Sequence, residues 1–212
     1  MVSTLCEVAG QHCSQIRTFP ILTAPFAFTP NFENSSRSPS WIGSSPTSYQ
    51  RRAAKADVED DRRRFPTGVT TLCAMNEGQP IGTTASAFVA VSLEPALVSV
   101  CIKRGSWTSR QLRTLERLGI SFLGHGHAAT ARQVAQATGD RFLELHYEEA
   151  PSGAVFLANA TAWLECSIEN EIPAGDHDMV LFRLQAAATD GVMPLIFHSS
   201  DFHTIAPLAV KP

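Results

Sequence analysis

Val69-Thr70-Thr71-Leu72-Cys73-Ala74-Met75 is a run of β-branched and apolar residues. Asn76-Glu77-Gly78 follows it, and then Pro80-Ile81-Gly82-Thr83-Thr84-Ala85-Ser86-Ala87-Phe88. Two strand-forming runs around an Asn/Gly turn read as a β-hairpin. Antiparallel neighbours need no helical crossover, so this hairpin sets the expected architecture.

Further strands are expected at Ala96–Ile102, Ile120–Leu123, Ala154–Leu157, Ala160–Glu169, Met179–Ala188 and Pro194–Phe197. Ser106 is placed to cap a helix over Trp107–Arg117, and Gly119 stops it. A second helix is expected over Ala128–Ala137, closed by Gly139, and a short charged one over Lys55–Arg64. These helices are too few for repeated βαβ units. The fold class is therefore mainly β, a closed or partly closed antiparallel barrel.

The chain has 212 residues, 44% of them hydrophobic and 17% charged. That charged share lies below the usual quarter. Seventeen basic against 20 acidic residues leave a net charge of −3, which does not suit a nucleic-acid partner. No apolar run reaches the roughly 18 residues of a membrane span. Residues 1–54 are rich in Ser and Pro and carry isolated aromatics, so they read as a disordered segment ahead of a domain over 55–212. Five cysteines at long spacings form no CxxC pair, and Cys73, Cys101 and Cys166 lie in apolar runs. Buried thiols and a reducing, cytoplasmic location follow.

No nucleophile elbow, P-loop or dinucleotide fingerprint is present. Gly124-His125-Gly126-His127 reads as a loop before the second helix, with no convincing set of further metal ligands nearby. Four segments remain as candidates for chemistry. Gly82–Ala87 is either an edge strand or a place where a ligand approaches the backbone. Cys101-Ile102-Lys103-Arg104-Gly105-Ser106-Trp107-Thr108 is either ordinary capping with solvated cations or a phosphate cradle. Pro173–Asp178 is either a turn or the mount of a cleft-facing histidine. His198 and His203, read on one strand, would point to opposite faces.

The order of these segments resembles the flavin reductase-like family, the small reductase components of two-component flavin monooxygenases. The resemblance rests on Phe65-Pro66-Thr67-Gly68-Val69-Thr70, Gly82–Phe88, Val91–Pro95, Leu97–Ile102, Gly139-Asp140-Arg141-Phe142, Gly175-Asp176-His177 and Phe197–His203. It spans about residues 58–208. It implies an FMN-binding split β-barrel with Greek-key strands, built as a homodimer. It also implies bound FMN or FAD, NADH or NADPH as hydride donor, and a flavin-dependent monooxygenase that receives the reduced flavin.

By the same resemblance, Thr83, Thr84, Ala85, Ser86 and Ala87 meet the isoalloxazine and ribityl chain. Cys101, Lys103, Ser106 and Thr108 hold ribityl and phosphate, and Ser121, Leu123 and Gly124 line the pocket. Gly175, Asp176 and His177 lie beside the nicotinamide, with His177 the candidate catalytic residue, and His203 belongs to the same entrance. Phe202 stands where the family often has Tyr or Arg, and Lys103-Arg104 replaces an Asn-containing version. The alternative is a split-barrel protein that binds flavin or haem as an oxidase or electron carrier. A plain interaction module would bind no cofactor.

Overall fold

A turn residue pair decides how the first hairpin closes. In the computed structural model, which describes residues 63–206, Glu77 and Gly78 both take positive φ, 50° and 77°. That is the type I′ geometry whose twist matches paired strands. It joins β2 (Thr70–Asn76) to β3 (Gln79–Ala85) with Asn76 opposite Gln79. β1 (Thr67–Gly68) precedes them. After them come β4 (Phe88–Leu93), β5 (Ala96–Lys103), α1 (Trp107–Leu112) and β6 (Leu118–Phe122). A 3₁₀ turn at His125–His127 leads into α2 (Ala128–Val134). β7 (Tyr147–Glu149), β8 (Val155–Leu157), β9 (Ala162–Ala174), β10 (His177–Thr189), β11 (Leu195–His198) and β12 (Asp201–Thr204) complete the described chain.

The main sheet runs β3-β2-β6-β9-β10-β5-β4, antiparallel throughout. Its two edge strands, β3 and β4, are joined by Ser86 and Ala87 alone. Laid flat, seven strands would hold their edges about 29 Å apart. Two linking residues reach about 11 Å at most. The sheet must therefore curl into a barrel, split where β3 passes into β4. This is the mainly β, partly closed antiparallel barrel expected from the strand pattern, and the split barrel that the resemblance implies.

Leu72, Val100, Leu118, Ile120, Val180 and Phe182 fill its interior. A second core of Val69, Cys73, Leu123, Phe142, Val155 and Leu195 lies against α2 and the two small sheets, β1-β11-β12 and β7-β8.

Several elements differ from expectation. The first helix ends at Leu112, not Arg117. Thr114 donates its hydroxyl to the Gln111 carbonyl, and the N–H groups of Thr114 and Leu115 switch to bonds three residues back. The second helix stops at Val134. β1, β4, β7 and β12 are not anticipated by the strand pattern. The segment 1–54 and most of the helix expected over 55–64 lie outside the described residues.

Candidate functional site

The split in the barrel gathers the first candidate residues. The Cys101 N–H donates to the Ala87 carbonyl at 3.1 Å, so the β3–β4 link sits on the end of β5. Across from β5, His177 opens β10 in register with Lys103, and Met179 pairs with Cys101. Alternation puts Cys101, Lys103, His177 and Met179 on the outer face, because Val100, Ile102 and Val180 point into the barrel. Lys103 is exposed and His177 half-buried. His177 Nδ1 donates to Asp176 Oδ1 at 2.9 Å, which leaves Nε2 as the acceptor of the neutral ring. Gly175, at φ +69°, makes the tight turn that brings His177 back along β9.

Behind His177 lies a buried carboxylate. Asp178 accepts from Arg104 Nε at 2.5 Å and from Arg113 Nη2 at 2.6 Å. These hydrogen bonds, Arg104's first, hold its carboxyl below the usual range. The Arg104 N–H also donates to the Asp176 carbonyl at 3.0 Å. Strand β10, the 103–106 loop and the end of α1 are thereby tied together. Arg104 is committed to this clamp, so of the adjacent pair only Lys103 projects a cation from the outer face.

A pocket of about 380 Å³ opens beside Ser86. Phe65, Pro66, Phe88, Phe122, Pro194 and Leu195 give it largely apolar walls, with Leu123 and the 67–70 segment. Thr161 also lines it, and its Oγ1 is buried with no hydrogen-bond partner among the described residues. An apolar slot with one orphaned hydroxyl suits a flat ring system that carries polar edge atoms.

The other expected residues divide. Ser86, Ala87 and Ser106 are exposed, and Ser106 Oγ accepts from the Ser109 N–H at 3.0 Å while keeping its own hydrogen to donate. Thr83 and Ala85 share a face of β3, and Thr84 takes the other, donating to the Ala131 carbonyl of α2 at 3.0 Å. Thr108 is buried and accepts from Arg141 Nη1 at 2.6 Å. Ser121 is wholly buried, and its Oγ accepts the Leu157 N–H at 3.0 Å. It supports β8 and presents nothing to a ligand. Gly124 is packed so closely that a Cβ would lie 2.6 Å from Val192 Cγ1.

His203 and His198 stand on neighbouring strands of a hairpin, not on one strand, because Ser199 and Ser200 turn the chain at positive φ. Their rings share a face, 5.8 Å apart. His127 accepts from the Gly124 N–H and donates through Nε2 to the Ala158 carbonyl at 3.0 Å, a bracing role. Cys73 and Cys166 are buried, and burial pushes both thiols up to about 12. Cys101 is only partly buried.

Sequence reasoning did not assign Arg141, Asp178 or Thr161 to the site. Arg141 lies inside the quoted Gly139–Phe142 motif and Asp178 at the end of the Pro173–Asp178 segment, whereas Thr161 has no local signal.

The family model for the flavin reductase-like domain matches residues 62–206. The chain belongs to the flavin reductase-like family. Within that family it is 34% identical over 145 residues to the stachydrine N-demethylase reductase subunit Stc3 of Rhizobium meliloti, covering 65% of this chain and 63% of that one. It is 30% identical over 170 residues to HsaB, a flavin-dependent monooxygenase reductase subunit of Rhodococcus jostii, covering 76% and 86%. The chain thus spans less than two thirds of the first relative's length. Among solved structures, the NADH:FAD oxidoreductase SgcE6 of Streptomyces globisporus, in complex with NAD and FAD fragments, superposes with a TM-score of 0.70 at 30% identity. That match covers 74% of this chain and 95% of the other.

Proposed function

We propose that this protein is an NAD(P)H:flavin oxidoreductase that supplies reduced flavin to a partner monooxygenase. The observation that carries the reading is the apolar pocket at Ser86, adjoined through Ala87 and Cys101 to the exposed Lys103–His177 pair. FMN or FAD fits this arrangement. Its ring belongs in the pocket, where Thr161 Oγ1 lacks a partner, and its phosphate at Lys103 and Ser106. When bound, the flavin supplies the chemistry by accepting hydride from the nicotinamide.

The chain's own work is positional. Phe65, Phe88 and Phe122 exclude water from the ring. Ser86 and Ala87 border it with exposed backbone. Lys103 and the Ser106 hydroxyl offset the phosphate charge. His177, held by Asp176, orients the dinucleotide through Nε2. No protein nucleophile is needed, which accords with inert, buried Cys73 and Cys166.

The protein acts as a homodimer. Val89 on edge strand β4, with Ile172 and Met179, leaves an exposed apolar face next to Lys103 and His177, and exposed Val91 and Leu93 follow along the same edge past a bulge between Ala90 and Ser92. An apolar sheet edge of this kind calls for cover, and a second copy provides it where the dinucleotide binds. The reductase subunits among the relatives support the monooxygenase as recipient. A cytoplasmic location matches the supply of NAD(P)H, and no helix among the described residues is long and apolar enough to cross a membrane.

The test is steady-state oxidation of NADH and NADPH with FMN and with FAD. Turnover in at least one of the four combinations, dependent on added flavin, is expected. No turnover in any of them would refute the reading.

A further inference from the structure

His198 closes β11 and His203 lies on β12, and the turn at Ser199 and Ser200 folds one strand back on the other. The register pairs His198 with Asp201 and Ile196 with His203. Paired residues share a face of a sheet, and so do residues two apart on one strand. His198, Asp201 and His203 therefore face one way. Phe197 and Phe202 face the other, against the second core. We propose that His198 and His203 together chelate one divalent transition-metal ion of the zinc class, with water completing its shell. This site goes beyond the reductase reading and stands whether or not that reading holds.

The separation of the rings fits a shared ion. Their centroids are 5.8 Å apart and their planes are tilted by 60°. A Zn–N bond of about 2.0–2.1 Å puts each ring centre about 3.2 Å from the ion, so two rings on one ion stand about 4.5–6.4 Å apart as the N–metal–N angle opens from a right angle to a straight line. The observed separation lies inside that window, so the strands need neither part nor close.

The ring nitrogens are also uncommitted. His127 spends both of its nitrogens on backbone groups, and His177 gives Nδ1 to Asp176. The exposed His203 ring forms no hydrogen bond among the described residues. His198 is half-buried and has only the Ser199 hydroxyl, 3.3 Å from Nε2. Neutral imidazole is the common protein ligand of zinc, copper and nickel. Among the described residues no group of three or more His, Cys, Asp or Glu is placed to hold a metal, which makes this a two-ligand site with open positions.

The mount is fixed before any ion arrives. Phe197 and Phe202 lie 5.4 Å apart, and the Arg132 guanidinium of α2 sits 4.7 Å above the Phe202 ring. Ligands held on a packed hairpin lose little freedom on binding. Asp201 adds negative charge to the metal-binding face, and Arg132 Nη2, 3.6 Å from its Oδ1, offsets part of it.

The experiment is calorimetric titration of zinc chloride into the full chain: unaltered, His198→Ala, His203→Ala, the double variant, and His146→Ala as an exposed control. The unaltered chain should take up one zinc ion that depends on both His198 and His203. Either single substitution should weaken that ion about tenfold or more, at least the loss that removing an outer-shell partner causes. The double variant should lose no more than either single one, and His146→Ala should change nothing. Zinc should raise the thermal midpoint of the unaltered protein, because an ion that binds the folded hairpin stabilises it, and the rise should shrink in the three variants at His198 and His203. Midpoints matched without zinc separate a lost site from a lost fold. Magnesium, which takes oxygen ligands, should not displace the zinc even in large excess. Zinc uptake identical in all five proteins would overturn the proposal. Losses that add in the double variant would mean two separate single-imidazole sites, and would overturn it too, as would displacement by magnesium.

Discussion

Lys103 and His177 face each other across two strands, yet they are given different ligands, and their removal should separate two affinities. Lys103→Ala should weaken FMN more than riboflavin, which lacks the phosphate. Equal losses in a fluorescence titration would exclude the phosphate contact. His177→Ala should raise the KM for the nicotinamide dinucleotide more than that for flavin, and the reverse order would reassign it. Gly82 carries a steric demand of another kind. A Cβ there would lie 2.6 Å from Cys73 Sγ and 3.0 Å from the Leu72 carbonyl, both on the neighbouring strand. Gly82→Ala should cost about 1–3 kcal/mol, as overpacking does, measured by urea denaturation.

At this scale much of the candidate site is legible in the sequence, because Ser86, Lys103 and His177 sit in motifs at the ends of strands. Ser121 could not be placed. Whether a strand serine faces a ligand or bonds a neighbouring backbone depends on β8, 34 residues further on. Thr161 has no motif at all, and only the pocket reveals it.

Among the elements, the clamp of Asp178 on Arg104 and Arg113 joins β10 to both ends of the 103–113 segment. Asp178→Asn should loosen the 103–106 loop and lower the thermal midpoint, while Phe182→Ala, in the barrel core, should cost about 3–5 kcal/mol with no selective effect on ligand. Besides the exposed Glu169, whose carboxyl the Arg183 hydrogen bonds hold below its ordinary range, two groups shape the acid limb of stability. His127 is held below its ordinary pKa, chiefly by burial. Its stabilisation is present above the unfolded value of about 6.5 and is lost as pH falls through the lowered folded value. Asp178 is held below the carboxylate range by its two guanidinium partners. Its contribution is present above about pH 3.9 and is lost as pH falls through its depressed folded value. The thermal midpoint should therefore begin to fall below about pH 6.5 and fall again below about pH 4. His127→Gln should flatten the first step alone, and an unchanged first step in that variant would contradict the assignment.

The hairpins were legible where turn chemistry was explicit, as at Glu77-Gly78 and Gly175-Asp176. β4 was not, because Ser86-Ala87 carries no turn signal; the chain changes sheet edge there rather than reversing on itself. The β11–β12 hairpin was missed because Ser199 and Ser200 supply left-handed backbone without glycine. The Asp178 clamp joins residues 65 and 74 positions apart, beyond any local pattern.

For the whole molecule, the low charge fraction has a structural counterpart in an apolar outer face beside the site. Leu93, 85% exposed on an edge strand, is hard to reconcile with a lone barrel in water. Leu93→Glu combined with Met179→Lys should convert a dimer to monomers in analytical ultracentrifugation and raise the KM for the dinucleotide. A monomeric unaltered protein would contradict the dimer. On the proposed function, the Ser86 pocket and the Lys103–His177 pair bring a flavin and a nicotinamide together on one barrel. The most direct test is anaerobic mixing of the protein with flavin and NADH or NADPH, followed by the visible absorbance of the oxidised flavin. The absorbance should bleach far faster with the protein than without it, using at least one donor–flavin pair and consuming one dinucleotide per flavin. Bleaching at the uncatalysed rate with all four pairs would contradict the account.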